Sequence, residues 1–165
     1  MRLFLFLLIA LLLLLSKESD AQVVLPETGQ VASLNQSVFG LGLFGGAATG
    51  AGLSFRHHLP LNISYQIAGG VIKVDERLSY TIGGEVQYDL IRTTASRFFA
   101  IGGGGYYYSG NDHNEMDAPA RVGLGIGGEV EVYSGIHFIG EVLFTYFTDG
   151  TILPLPQGGF FYYFR

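Results

Sequence analysis

The residues of this chain that could do chemistry are ionisable side chains, and they recur at alternate positions of long apolar stretches. Acidic, basic and imidazole groups gathered in a confined space could relay protons or conduct an ion. The same groups could instead form a salt-bridged plug, because charges removed from water must be paired. The set consists of Arg77, Glu85, Asp89, Arg121, Glu129, Glu131, His137 and Glu141. We favour the plug, provided that the chain directs these residues into one interior.

The stretch at residues 77–92, RLSYTIGGEVQYDLIR, shows how such residues are positioned. Its even positions from Leu78 to Leu90 are apolar or glycine, and its odd positions are polar or glycine except for Ile91. Successive side chains of a strand point to opposite faces, so the stretch predicts a strand with one apolar and one polar face. About 9–11 residues of tilted strand cross a bilayer, so this strand is long enough to span one.

Similar stretches recur along the chain, separated by residues typical of turns. The predicted strands are approximately Ser37–Phe44, Thr49–His58, Leu61–Lys73, Arg77–Arg92, Arg97–Tyr108, Ala120–Tyr133, Ile136–Thr148 and Gln157–Arg165. A short IGGEV repeat at residues 82–86 and 126–130 suits a repeated hairpin pair, although coincidence in a glycine-rich chain is the alternative. We therefore predict an all-β fold, an eight-stranded antiparallel up-and-down transmembrane β-barrel at residues 37–165.

The first 21 residues have the pattern of a cleavable signal peptide. Arg2 precedes an apolar run at residues 3–15, and SDA at residues 19–21 is a small-x-small cleavage signal. We expect export with cleavage after Ala21, followed by a lead-in segment at residues 22–36 without clear periodicity. Cysteine is absent and the net charge is −5, which excludes disulfides, a lipidated cysteine and a basic nucleic-acid surface.

Three features predict that the apolar faces point outward into lipid. Beyond the signal peptide the chain has a single lysine, Lys73, whereas a water-exposed surface normally carries many. The polar faces are rich in glycine and serine, which suits a lumen that eight strands make only just wide enough for side chains. The apolar faces of the fourth, sixth and seventh strands lack charges, which would cost about 2–4 kcal/mol at the bilayer midplane.

The connections predict an orientation in the membrane. With both termini on the inner side, the two longest connections, at residues 109–119 and 149–156, face outward, as is the rule for such barrels. Aromatic residues are expected at both interfaces, and Tyr80 and Tyr88 lie about 20 Å apart along the membrane normal for a strand tilted by about 40°. The predicted aromatic girdle comprises Tyr80, Tyr88, Tyr146, Tyr162 and Phe164.

The sixth and seventh strands predict one specific pairing. Glu131 and His137 both have inward parity, so an odd-length turn is needed between their strands. A three-residue turn at residues 133–135, with Gly135 in the left-handed conformation, meets this requirement. Val132 would then face Ile136, and Glu131 would face His137.

With its signal peptide, its alternating strands and the aromatic segment FFYYF at residues 160–164, the chain resembles a family of small bacterial outer-membrane barrels, the eight-stranded OmpA-barrel and OmpX type. The resemblance covers roughly residues 37–165, and Arg165 departs from the aromatic C-terminus of that family. It implies an integral protein of the Gram-negative outer membrane, in contact with outer-membrane lipid. It also implies periplasmic chaperones and the barrel-assembly machinery as partners during biogenesis. We expect a monomer, without cofactor or nucleic acid, in a structural or surface-interaction role.

Two other functions remain open: a narrow channel for small or hydrophobic molecules, and a lipid A-modifying enzyme. A general porin is excluded, because an aqueous channel needs about 16 strands. An acyl hydrolase needs a nucleophile, a histidine and an acid within hydrogen-bond reach. Outer-membrane lipid A hydrolases resemble one another in a His-x-Ser arrangement, which none of the four histidines here has. The acidic loop at residues 111–117 lacks the spacing of a calcium loop. We therefore predict no catalytic, metal or cofactor site.

Overall fold

The computed structural model describes residues 37–93 and 95–164. Its strands are β1 (Val38–Gly46), β2 (Gly50–His58), β3 (Ile63–Val74), β4 (Arg77–Arg92), β5 (Ser96–Gly110), β6 (Ala120–Tyr133), β7 (Ile136–Phe147) and β8 (Ile152–Phe164). Each strand pairs antiparallel with the next, and β8 pairs with β1 to close a barrel. The predicted eight-stranded barrel fold is confirmed. The signal peptide, the lead-in segment and Arg165 lie outside the described residues.

The two ends of the barrel differ, and we name them by what they carry. The loop end carries the turns after β1, β3, β5 and β7, and the terminal end carries the start of β1, the end of β8 and the other turns. Within the part of the chain that the structure describes, no helix has the length and apolar character needed to cross a bilayer.

The apolar faces of the strands point outward, as predicted. Leu53, Leu124 and Phe144 are among many large hydrophobic side chains exposed on the outer wall, while Glu85, Gln87 and Glu129 are buried inside. The exception at Ile91 has a local cause, because a β-bulge shifts the pairing of β4 with β5 between Asp89 and Ile91. One extra residue in a strand reverses the parity that follows it, and the Ile91 side chain accordingly lies exposed.

The start of β8 is where the predicted loop is wrong. Residues 152–156 belong to β8 and pair with β7, so the connection after β7 is only residues 148–151. Pro154 and Pro156 suggested a loop because proline cannot donate to a sheet ladder. Here β1 pairs with β8 only from Gly158 onward, so the other edge of β8 is open at both prolines. Proline is tolerated on such an edge.

The β6–β7 hairpin confirms the facing pair but not the predicted turn. Glu131 lies opposite His137, and Gly135 has a φ of 77°, in the left-handed region. However, Tyr133 rather than Val132 faces Ile136, because the register shifts between Glu131 and Tyr133. The hairpin therefore combines a two-residue turn at residues 134–135 with a β-bulge, which gives the same inward parity as a three-residue turn.

Candidate functional site

The interior of the barrel holds a connected polar cluster centred on Arg56, whose side chain is 0% exposed. Its Nη1 lies 3.2 Å from Glu129 Oε2, and its Nη2 lies 3.4 Å from Glu85 Oε1 and 3.6 Å from Glu141 Oε1. Arg56 Nε donates to Gln66 Oε1 at 2.8 Å. One guanidinium thus joins three carboxylates contributed by three different strands.

A second guanidinium, that of Arg97, organises the part of the cluster nearer the terminal end. Its Nε lies 2.6 Å from Glu129 Oε2 and its Nη1 lies 2.8 Å from Asp89 Oδ1. Its Nη2 donates to Gln87 Oε1 at 2.6 Å. Arg92 also pairs with Asp89. Glu129 is therefore shared between Arg97 and Arg56, which makes the two halves of the cluster one network.

The carboxylates of Glu85 and Glu141 are held together by two side-chain amides. Gln87 Nε2 donates to Glu85 Oε1 at 2.6 Å and to Glu141 Oε1 at 3.3 Å. Gln157 Nε2 donates to Glu85 Oε2 at 3.3 Å and to Glu141 Oε2 at 2.9 Å. Two buried acids bridged in this way fill the middle of the lumen with side chains.

At the terminal end of the lumen, aromatic and imidazole rings pack against the polar cluster. His137 Nδ1 lies 3.0 Å from Glu129 Oε1, and the His137 ring packs edge-on against Tyr163 at 4.6 Å between centroids. The Tyr163 hydroxyl is 2.9 Å from His58 Nε2. Glu131, the residue that faces His137, accepts a hydrogen bond from the Gly135 N–H at 2.9 Å. His137 thus pairs with the carboxylate of Glu129, which lies two residues before Glu131 on β6.

At the loop end, the turn between β1 and β2 folds into the barrel. Ala48 and Thr49 in this turn are both 0% exposed. Thr49 Oγ1 donates to Glu85 Oε2 at 2.8 Å. The Tyr107 hydroxyl donates to the Gly46 carbonyl at 2.6 Å and accepts from the Gly50 N–H at 2.9 Å. We call residues 47–49 the plug turn, because it seals the polar cluster from the loop end.

The eight predicted lumen residues fall into two groups. Glu85, Asp89, Glu129, Glu141 and His137 have the contacts given above, and Glu131 contacts the Gly135 backbone. Arg77 and Arg121 have inward parity but lie at the loop end, outside the cluster. Arg77 is the first residue of β4, on the loop-end side of the plug turn. Its side chain is 59% exposed, and its Nη2 lies 3.2 Å from Glu115 Oε2. The interpretation of Arg77 as part of the buried network is therefore wrong.

Sequence reasoning missed the two arginines that organise the cluster. Arg56 has the inward parity of Ser54 on β2, and that parity alone could have identified it. Arg97 stands next to Phe98 and Phe99 at the start of β5, where two adjacent aromatic residues hide which parity faces inward. The Phe99 ring is in fact fully buried, with the Arg97 guanidinium 4.4 Å from its centroid.

The predicted girdle residues all lie on the outer wall. Tyr88, Tyr146, Tyr162 and Phe164 are about half exposed. Tyr80 stacks on Tyr108, with 4.9 Å between ring centroids and 8° between their planes. By strand order Tyr80 and Tyr146 lie towards the loop end, and the other three lie towards the terminal end.

One cluster on the exterior contains a serine, a histidine and a tyrosine within hydrogen-bond distance. His57 points outward near the terminal end, where Nε2 lies 2.5 Å from Ser37 Oγ and Nδ1 lies 3.0 Å from Tyr65 OH. A serine–histidine pair is a nucleophile and base only when a third group orients it and donors await the oxyanion. The third group here is a phenol, and the Phe39 ring stacks 4.1 Å from the imidazole. The arrangement is therefore interpreted as packing of side chains on the outer wall near the terminal end.

Among the described residues, no group of three or more His, Asp or Glu side chains is placed to hold a metal ion.

No protein-family model, curated protein or solved structure matches this chain.

Replacing Tyr107 with phenylalanine is expected to loosen the plug turn. The substitution leaves the Gly46 carbonyl and the Gly50 N–H without their partner, which should lower the free energy of unfolding by about 1–2 kcal/mol. Hydrogen exchange of the Gly50 amide, read by NMR in detergent, should accelerate. Tyr108→Phe is the matched control, because Tyr108 follows Tyr107 on β5 and points to the outer wall. Equal protection of Gly50 in both variants would contradict the role of the Tyr107 hydroxyl.

Proposed function

We propose that this protein is an integral outer-membrane β-barrel without catalytic activity, with a structural or surface-interaction role in the cell envelope. The observation that carries the proposal is the distribution of side chains across the wall of the closed barrel. Large hydrophobic residues are exposed on the outside and buried charges are paired inside, the reverse of a water-soluble domain.

The two aromatic groups of the outer wall support a membrane position. A bilayer would meet Tyr80 and Tyr146 at one interface and Tyr88, Tyr162 and Phe164 at the other, as in the girdles of outer-membrane barrels. The predicted signal peptide and the resemblance to OmpA-barrel and OmpX-type proteins support the outer membrane and a periplasmic terminal end. Outer-membrane lipid would then surround a single barrel, delivered by periplasmic chaperones and the barrel-assembly machinery.

The packed interior supports a non-conducting barrel over the alternative of a narrow channel. A path through the lumen would have to displace the plug turn, the bridged pair Glu85–Glu141, and the network of Arg56 and Arg97. The lipid A-modifying enzyme is the weaker alternative, because the Ser37–His57 contact lacks an orienting acid among the described residues.

Refolding tests the membrane proposal. The chain from Gln22 onward should migrate on a gel as a fast band in detergent and as a slower band after boiling, because a stable barrel stays compact until heated. It should also insert into phosphatidylcholine vesicles and resist protease there, except in the loops. A detergent-free, soluble monomer with this fold would contradict a membrane location.

Planar-bilayer recording separates the packed barrel from the channel. We expect no discrete openings from the inserted protein, because an ion would have to displace the plug turn and the paired charges of the polar cluster. A porin of about 16 strands serves as the positive control. Steady openings of uniform size that scale with the amount of inserted barrel would overturn the non-conducting proposal and favour the channel.

A further inference from the structure

The barrel wall has a notch at its loop end, above the short hairpin of β1 and β2. β8 pairs with β1 only from Gly158 onward, and β3 pairs with β2 only up to Gly69. The segments at residues 152–157 and 70–74 therefore rise on either side without a strand between them. Neighbouring strands lie about 4.8 Å apart, so replacing β1 and β2 by a gap separates these edges by about 14 Å. The plug turn forms the floor of this notch.

The space above the plug turn, which we call the vestibule, is lined by apolar side chains on its β3, β7 and β8 sides. Ile72, Val74, Leu153 and Leu155 have inward parity on the two segments that flank the notch, and Phe147 has inward parity on β7. Ile72, Val74 and Leu153 are 67%, 62% and 46% exposed. Exposed apolar surface of this kind marks an interaction site. Beyond the plug turn the lining is thus apolar on the β3, β7 and β8 sides, whereas Ser79 and Ser109 have inward parity on the β4 and β5 sides.

The outer wall below the notch carries an apolar groove of about 410 Å³. Gly69 lies between Leu53 of β2 and Ile82 of β4 on one rung of the sheet, and the missing side chain creates a depression there. The groove reaches the rung at which the notch begins. The outer wall is therefore apolar at the level where the notch opens, next to the apolar side of the vestibule.

Arg121 places a cation beside the plug turn at the base of the vestibule. Its Nη1 donates to the Ala47 carbonyl at 2.6 Å, and its guanidinium lies 4.0 Å from the Tyr107 ring centroid and 4.9 Å from that of Phe147. Arg121 is half-buried and its Nε is buried without a hydrogen-bond acceptor. In residues 37–93 and 95–164 it forms no ion pair, unlike Arg56, Arg77 and Arg97.

Within the part of the chain that the structure describes, the Arg121 guanidinium has a carbonyl and two aromatic rings as partners but no carboxylate, so its positive charge is still available to an anionic ligand. Arginine offers five donors suited to carboxylate or phosphate oxygens. Charge complementarity therefore specifies an anionic head, and the apolar lining specifies a hydrocarbon chain.

We propose that the vestibule binds one anionic amphiphile, with its head on Arg121 and its chain leaving through the notch into the surrounding lipid. The inference rests on the proposed membrane location, since the chain needs lipid beside the notch. It adds a binding site to a barrel whose lumen stays closed, because the plug turn separates the vestibule from the polar cluster.

Spin-label electron paramagnetic resonance in vesicles of zwitterionic phosphatidylcholine tests the proposal. Insertion of the barrels is first verified by the fast-migrating band and by protease resistance. The barrels are then mixed with spin-labelled stearate at a pH where the stearate is ionised. We expect a motionally restricted stearate component that saturates at one per barrel. The spin-labelled methyl ester keeps the chain and loses the charge. Its association constant for the barrel should therefore be about tenfold lower than that of stearate. Inorganic phosphate alone should not displace stearate, because it has no chain.

Variants separate the site from general lipid contact. Arg121→Gln should reduce stearate association to the level of the methyl ester, and Arg77→Gln is the matched control because Arg77 is exposed and paired with Glu115. Leu153→Asp adds a negative charge to an exposed vestibule position and should weaken stearate binding without disturbing the core.

Retention of stearate selectivity in both the Arg121 and Leu153 variants would overturn the proposal. Equal restriction of stearate and its ester would also overturn it, as would displacement of stearate by phosphate alone. Restriction that is lost when barrels are diluted in lipid would overturn it too, because that loss would indicate a second copy of the barrel in the notch. Failure of the barrel to insert into vesicles would instead contradict the membrane proposal.

Discussion

Replacing Arg56 with methionine is expected to lower the free energy of unfolding by about 3–5 kcal/mol, because it leaves buried carboxylates without their cation. Arg56 contacts Glu85, Glu129 and Glu141, and within residues 37–93 and 95–164 only Glu129 of these three keeps a second arginine. Methionine fills part of the same volume against the Phe161 ring, so the loss reports charge rather than a cavity. Urea titration in detergent, followed by disappearance of the fast-migrating gel band, measures the change.

Arg77→Met is the matched control for this prediction. Arg77 also forms an ion pair with a glutamate, but both side chains are about half exposed, and exposed pairs contribute about 0–1 kcal/mol. Adding Glu85→Gln and Glu141→Gln to the Arg56 variant should recover part of the lost stability, because amides leave no unpaired charge. Similar unfolding midpoints for the Arg56 and Arg77 variants would show that the cluster does not depend on its central cation.

Replacing Gly83 with valine is expected to cost about 3 kcal/mol and to displace the plug turn from the lumen. A Cβ at Gly83 would lie 2.4 Å from the carbonyl carbon and oxygen of Thr49 and 2.8 Å from the Gly104 oxygen. These atoms belong to backbone, so neither a rotamer change nor a small side-chain shift relieves the overlap. Urea titration gives the loss of stability, and faster exchange of the Gly50 amide would show that the turn has moved.

Gly140→Val is the control for the Gly83 substitution. Gly140 also lies within a strand, but the nearest atom to its Cβ, in the Phe138 ring, would be 3.8 Å away. We expect a change within about 0.5 kcal/mol, as for surface substitutions in general. If valine at residue 83 were tolerated as well as valine at residue 140, the close packing of the plug turn against β4 would be wrong.

The strands were predictable where apolar and polar residues alternate without interruption. β4 and β6 have the bounds expected from their alternation, and the exception at Ile91 marks a β-bulge that the pattern could signal but not locate. The start of β8 was not predictable, because an open edge for Pro154 and Pro156 depends on how far the distant β1 extends. Local sequence holds no information about that distance.

The candidate site was predictable only in part, for a related reason. Parity identifies which side chains face inward, and it correctly directs Glu85 and Glu141 into the lumen. It does not say which inward residues lie level with one another, so the exposed Arg77 was grouped with buried acids. The inward fold of residues 47–49 has no periodic signal at all. It depends on glycine at residue 83 of another strand, which leaves space for the Thr49 backbone.

The plug turn also sets an order of events during folding. Its residues bond to Glu85 of β4, Arg121 of β6 and Gln157 of β8, across separations of 36, 74 and 109 residues. Contacts between such distant parts of a chain form late, because the intervening segment must first be ordered. The hairpin of β1 and β2, the first to be synthesised, therefore cannot acquire its final contacts until the last strand arrives. Formation of the Thr49–Glu85 hydrogen bond would therefore report that the barrel has closed.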